Sequence, residues 1–190
     1  MAEMISGFVH ARADADSAGS ADLYFEALFL QHYGRVLRLL LRLVGDRLQA
    51  EDLANEVFWK LSRQSESWLR TNNVGAWLCR TATHAGIDAL RASSNRREYE
   101  RAAVLHDQLD SGGPLGEILR AEERRRVQLA LGKMRVTQAQ LLLMRADGSS
   151  YKELAETFHV AVTGVGTLLN RAEAEFRKQY CKLMKKRNLL

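Results

Sequence analysis

The residue types that carry chemistry in this 190-residue chain are arranged for binding rather than for bond-making. His10, His32, His84, His106 and His159 are scattered, and no nucleophile sits in a strand-to-helix elbow. Gly112-Gly113-Pro114-Leu115-Gly116 lacks the preceding strand that a phosphate-cradling loop needs. The carboxylates Glu51, Asp52 and Glu56 have no histidine or further acid spaced with them to complete a metal shell. No catalytic residue, metal site or cofactor is expected, and the chain does not read as an enzyme. One line of side chains remains. Arg80, His84, Ile87 and Arg91 recur at helical spacing with Thr83 alongside, combining forked cationic donors, neutral hydrogen-bonding groups and an apolar surface that meets a sugar or a base. The competing explanation is a solvated face on which Asp88 pairs with Arg91 and with His84, and on spacing alone it is slightly favoured.

The segment from Gly45 to Leu61 must position a second set. Ala50, Leu53, Ala54, Val57 and Leu61 fall on one stripe of a 3.6-residue helix and face a core. Asp46 is placed as its N-cap, with Gln49 three positions on in a capping-box arrangement, and Gly45 ends the helix before it. Opposite the core stripe lie Glu51, Asp52, Asn55 and Glu56, beside Phe58 and Trp59. Carboxylates next to large aromatics suit a protein-binding face. They suit equally an ordinary helix whose aromatics complete the core and whose acids solubilise it.

Charge and composition narrow the partner. Lys and Arg total 28 against 23 Asp and Glu, a net charge of +5, which favours a polyanion. No apolar run approaches the roughly 20 residues of a membrane span. Cys79 and Cys181 have no paired spacing, so neither a disulfide framework nor a zinc site is indicated, and a reducing cytoplasm fits.

The periodicity predicts an all-α fold of two small helical domains joined by a flexible linker. Residues 1–22 read as a disordered tail. Residues 23–92 hold helices over Leu23 to Val44, from Asp46 to Leu61 and over Val74 to about Arg91, separated by a polar stretch from Ser62 to Asn73. Residues 93–119 surround Pro114, the single proline, with glycines, and read as the linker. Residues 120–190 break into short helices. Thr137 with Gln140 and Ser150 with Glu153 are expected capping boxes, and Asp147-Gly148 is a stop. A turn at His159-Val160-Ala161-Val162 before a final helix suggests a helix-turn-helix. That last helix offers Thr163, Gly166, Thr167, Asn170 and Arg171 to a major groove. The basic end from Arg177 to Arg187 can neutralise phosphates, but on that segment alone the plainer explanation, complementing the helix dipole, is favoured.

Three islands together resemble the extracytoplasmic-function sigma factors of the sigma-70 family. They are Gly45-Asp46 with Ala50-Glu51-Asp52-Leu53 and Glu56-Val57-Phe58, then Trp77-Leu78 with Arg80, Ala82, Asp88 and Leu90-Arg91, and finally Ser150-Tyr151 with Glu153-Leu154-Ala155-Glu156. The resemblance implies a region 2-like domain over 23–92 and a region 4-like helix-turn-helix domain over 120–190. It implies that Asp46, Glu51, Asp52, Asn55, Glu56 and Phe58 dock on core RNA polymerase. Arg80, Thr83, His84, Ile87 and Arg91 would open and read the minus-ten element of promoter DNA, and Thr163, Gly166, Thr167, Asn170 and Arg171 the minus-thirty-five element. An anti-sigma protein is the expected regulator. The sequence departs from the family at Thr83, His84, Ala161, Gly166 and Leu168, where Arg, Asn, Ser, Lys and Arg are common. Two other readings compete: a stand-alone helix-turn-helix regulator, and a sigma-like interaction protein with reduced promoter reading.

Overall fold

A computed structural model describes residues 18–103 and 115–187, with side chains described over 23–94 and 119–185. Every described element is an α-helix: α1 Ala18–Val44, α2 Arg47–Ser62, α3 Glu66–Thr71, α4 Val74–Ala103, α5 Leu115–Gly132, α6 Val136–Ala146, α7 Tyr151–Phe158 and α8 Val162–Arg187. The start of the expected tail and the glycine-rich part of the expected linker lie outside the described residues. Two expected boundaries move. The first helix begins at Ala18 rather than Leu23, and the helix expected to fade near Arg91 continues to Ala103.

α1, α2 and α4 form the first domain around Phe25, Phe29, Leu40, Leu43, Val57, Phe58, Leu61 and Leu78, all fully buried or nearly so. α1 is apolar over more than half its circumference because it meets both α2 and α4. Gly86 lets α4 approach α1 closely: a Cβ there would stand 2.6 Å from a methyl of Leu43. The polar stretch from Ser62 to Asn73 holds a further short helix, α3. Ser65 caps it through the Trp68 amide, and Leu69 holds it on the core while Trp68 packs edge-on against Trp77 at 5.7 Å.

α5 to α8 form the second domain around Leu131, Met134, Leu143, Met144, Leu154, Val165, Leu169 and Ala172. Its punctuation follows local chemistry. Asp147 ends α6 with Gly148 at φ +92°, and His159 ends α7 in the left-handed region at φ +53°. The capping box at Ser150 is complete: its Oγ accepts from the Glu153 amide at 3.2 Å, and its own amide donates to Glu153 Oε2 at 2.7 Å. The box expected at Thr137 is absent. The cap lies two residues earlier: α6 starts at Val136, its N-cap Arg135 makes no side-chain cap, and Gln140 is buried with its amide 3.8 Å from the sulfur of Met144. Core packing, which draws Gln140 inward, overrides the local motif.

Ser150→Ala should cost about 1 kcal/mol, read as a lower urea midpoint. The two hydrogen bonds from Ser150 hold the Glu153 carboxyl below its ordinary value of 4.5. A carboxyl depressed by folding stabilises above that value and stops doing so as pH falls through the lowered one, so the penalty should shrink in acid.

The two domains pack against each other. α4 lies on α5 and α6, and the C-terminal part of α1 reaches α5, so one continuous core runs through both.

Candidate polymerase and DNA interfaces

α2 presents its outer face cleanly. Asp46 Oδ1 accepts from the Gln49 amide at 2.8 Å, and Gly45 at φ +77° closes α1 before it. Leu48, Asp52, Glu56 and Trp59 stand exposed at spacings of four, four and three, a single outward stripe with Asn55 at its edge. Glu51 is half-buried and pairs with Arg47 at 2.8 Å, and Glu56 pairs with Lys60 at 2.7 Å. Asp52 makes no ion pair among the described residues.

The tie between Phe58 and Trp59 resolves by direction. Phe58 is fully buried, with its ring centroid 4.7 Å from Phe29 and 5.8 Å from Tyr33. It therefore faces the core of the first domain and lies behind the outward stripe, not on it as its place among the expected contact residues required. Trp59 is 45% exposed under the Arg63 guanidinium, and Leu48 is 72% exposed. Sequence reasoning passed over Leu48, although its spacing to Asp52 and Glu56 was there to read. Asn55 Oδ1 is buried without a hydrogen-bond partner, an unmet acceptor on this face.

The expected DNA stripe on α4 is divided. Arg80 and His84 are exposed and Arg91 is about half-exposed. Thr83 and Ile87 are fully buried, and the Thr83 hydroxyl donates to the Cys79 carbonyl at 2.7 Å. Their expected solvent-facing position is thus corrected: Cys79, Thr83, Ile87 and Leu90 form a buried line along α4. Leu90 lies against Gly132, where a Cβ would come within 3.1 Å of it. Burial pushes the Cys79 thiol up, with Arg35 opposing and Asp147 and Glu153 of the second domain adding to it. Arg91 pairs loosely with Asp88 at 4.0 Å, as the solvated-face reading expected. It also donates to Gly132 O at 2.9 Å and Met134 O at 3.2 Å, and Arg80 donates to Thr157 O at 3.4 Å.

α7 and α8 meet at the tight turn that a helix-turn-helix requires. Thr163, Thr167, Asn170 and Arg171 lie exposed on one side of α8, with Gly166 half-buried at its margin. Val165, Leu169 and Ala172 hold the opposite side in the core. A Cβ at Gly164 or Gly166 would meet nothing within 4 Å, so internal packing does not require either glycine. Among the described residues no group of histidines, cysteines and acids is placed to hold a metal, and no helix is long and apolar enough to cross a membrane.

Comparison with known proteins matches both domains. The sequence model of Sigma-70 region 2 covers residues 28–96, and that of Sigma-70, region 4 covers residues 124–176. The chain is 27% identical over 172 residues to the ECF RNA polymerase sigma factor SigE of Mycolicibacterium smegmatis, covering 89% of this chain and 66% of that one. It is 25% identical to the ferric citrate uptake sigma factor FecI of Escherichia coli, covering 85% and 95% of the two chains. With the RNA polymerase sigma factor YlaC of Bacillus subtilis the identity is 27%, covering 83% and 92%. Two helical domains in this order, with region 2 and region 4 matched over most of the described chain, make the protein a member of the sigma-70 family of the extracytoplasmic-function type, a non-enzymatic factor that directs RNA polymerase to promoters.

Proposed function

We propose that the outward stripe of α2 is the polymerase dock of this sigma factor, that α4 captures minus-ten bases, and that α8 reads the minus-thirty-five element. The observation that carries the first assignment is the exposure of Leu48, Asp52, Glu56 and Trp59 in one line on a helix whose other side is anchored by Phe58. Asp46 and Glu51 flank that line, one spent on the helix cap and the other on Arg47. Acids there complement a basic partner surface, and two apolar anchors supply the desolvated contact that sets affinity.

On α4, Arg80, His84 and Arg91 supply the donors. Thr83 and Ile87 are fully buried and join them only when the helices packed on α4 move apart. The work is binding: holding unpaired bases offsets an unstacking cost of a few kcal/mol per step. On α8, Thr163, Thr167, Asn170 and Arg171 contact the groove. With Gly166 and Leu168 in place of long cations, fewer phosphates are neutralised, so its salt dependence should be shallow. The protein works in the cytoplasm with core polymerase and promoter DNA, under an anti-sigma regulator.

The experiment is promoter opening by reconstituted holoenzyme, read as permanganate reactivity of unpaired thymines. Arg80→Ala with Arg91→Ala should lower opening on the order of tenfold, since each lost charged contact is worth about 1 kcal/mol or more. Core binding should be unchanged. Full opening by the double variant would remove the minus-ten assignment.

A further inference from the structure

α1 carries a second apolar row on the side away from the core. Leu23, Leu30 and Leu41 are 68%, 58% and 40% exposed. Ala27 and Gly34, also exposed, stand between them, and half-buried Leu37 completes the row. From Leu23 to Leu41 the steps are four, three, four, three and four, the spacing of a seam between two packed helices. Leu41, at the end of the row, is also a wall of an open apolar groove of about 860 Å³ that it shares with Val127, Leu131, Leu142 and Phe176.

The sizes of the side chains in this row say which helix fits it. Laid antiparallel on a second copy of α1, with the two-fold axis beside residue 32, the row meets itself in layers: Leu23 on Leu41, Ala27 on Leu37 and Leu30 on Gly34, each occurring twice. Two layers in three set a leucine against a small residue, so the helices approach closely and every leucine fills space. Parallel pairing in register would stack Gly34 on Gly34 and leave a hole. Charge selects the same direction. From Leu23 to Gly34 the only Asp, Glu, Lys or Arg is Glu26, whereas Arg35, Arg38 and Arg42 crowd the C-terminal part. Antiparallel pairing keeps the arginines of the two copies at opposite ends and opposes the helix dipoles, and parallel pairing would bring all of them together.

We infer that the outer row of α1 is a self-association surface: two copies of this chain pair antiparallel along it, with Leu23 of each copy at the mouth of the other's groove. The row is about 27 Å long at 1.5 Å per residue. With the groove mouths it buries on the order of 1,000 Å² in all, the lower limit for a specific interface, so the dimer is weak and depends on concentration. It uses residues of α1 that none of the polymerase and promoter assignments uses, and it stands or falls apart from them.

The test is sedimentation of the full chain across a concentration series, with circular dichroism as the check on folding. The weight-average mass of the parent chain should rise from that of one chain toward that of two. Leu30→Glu, at an exposed site, should keep its helical content and stay monomeric at every concentration. Gly34→Leu separates a fitted seam from general stickiness. A Cβ at Gly34 meets only the Arg38 guanidinium, at an ordinary 3.5 Å, so the chain itself tolerates the change. In the dimer the new side chain stands against Leu30 of the second copy, and the dimer should weaken about tenfold although apolar surface has been added. Cysteine cross-linking reads the register in a chain carrying Cys181→Ser, where Cys79 is buried. Gln31→Cys lies beside the axis and should form a disulfide-linked dimer on oxidation. Glu26→Cys, offset from its own copy by about 18 Å along the helix, should not. A parent chain that stays monomeric throughout, a Leu30→Glu chain that still dimerises, tighter dimerisation of Gly34→Leu, or cross-linking through Glu26→Cys in place of Gln31→Cys would each overturn the inference.

Discussion

Asp52→Lys with Glu56→Lys is expected to weaken binding to core RNA polymerase by roughly 30-fold or more, because reversing two acids in an anchored interface costs at least about 2 kcal/mol. Both side chains are exposed, and Glu56 spends one contact on Lys60 in a surface pair that contributes only a few tenths of a kcal/mol, so the fold should tolerate the change. Leu48→Ala and Trp59→Ala should each weaken the same complex, since the acids steer and register the contact while the apolar pair excludes water from it. The check is a titration of labelled chain with core polymerase beside a far-ultraviolet spectrum. Native helicity with parental affinity in the double lysine variant would mean that polymerase docks elsewhere.

Phe58→Ala is expected to destabilise the first domain by about 3 to 5 kcal/mol, the range for truncating a fully buried phenylalanine. The side chain lies within a cluster with Phe29 and Tyr33, where α1 and α2 cross, so its loss leaves a cavity that helices joined by other contacts cannot close. Marginal domains do not survive such a loss comfortably. Phe58→Leu fills most of the space and should retain both the fold and polymerase affinity. Unfolding by urea checks the first expectation and the docking titration checks the second. A Phe58→Leu chain that melts normally yet fails to bind polymerase would put the aromatic ring back in the interface.

What could be read from the residues was largely what is decided within one turn of chain. Asp46 and Ser150 cap helices because their side-chain oxygens reach amides three positions on. Gly45 and Asp147-Gly148 end helices because the backbone there turns left-handed or stops. The core stripe of α2 followed from spacing, and four of its five residues are buried. What could not be read was decided by a partner distant in sequence. Phe58 and Trp59 are neighbours of similar character, and only the position of Phe29 and Tyr33 on α1 sends one inward. Thr83 and Ile87 looked open because the helices packed on α4 are set by tertiary contacts that leave no signal in the local spacing. Thr137 and Gln140 matched a capping motif, but burial of Gln140 starts the helix earlier. Arg80 and Arg91 were picked for their charge, and the carbonyls they find at the ends of other helices have no linear signal.

Sigma function is tested most directly by mapping transcript start sites made by core polymerase with and without the purified chain on a genomic template. Membership of the sigma-70 family predicts a limited set of defined starts that require the chain, with unpaired bases upstream of each. Binding to duplex DNA with no chain-dependent start would contradict it and leave a stand-alone helix-turn-helix regulator.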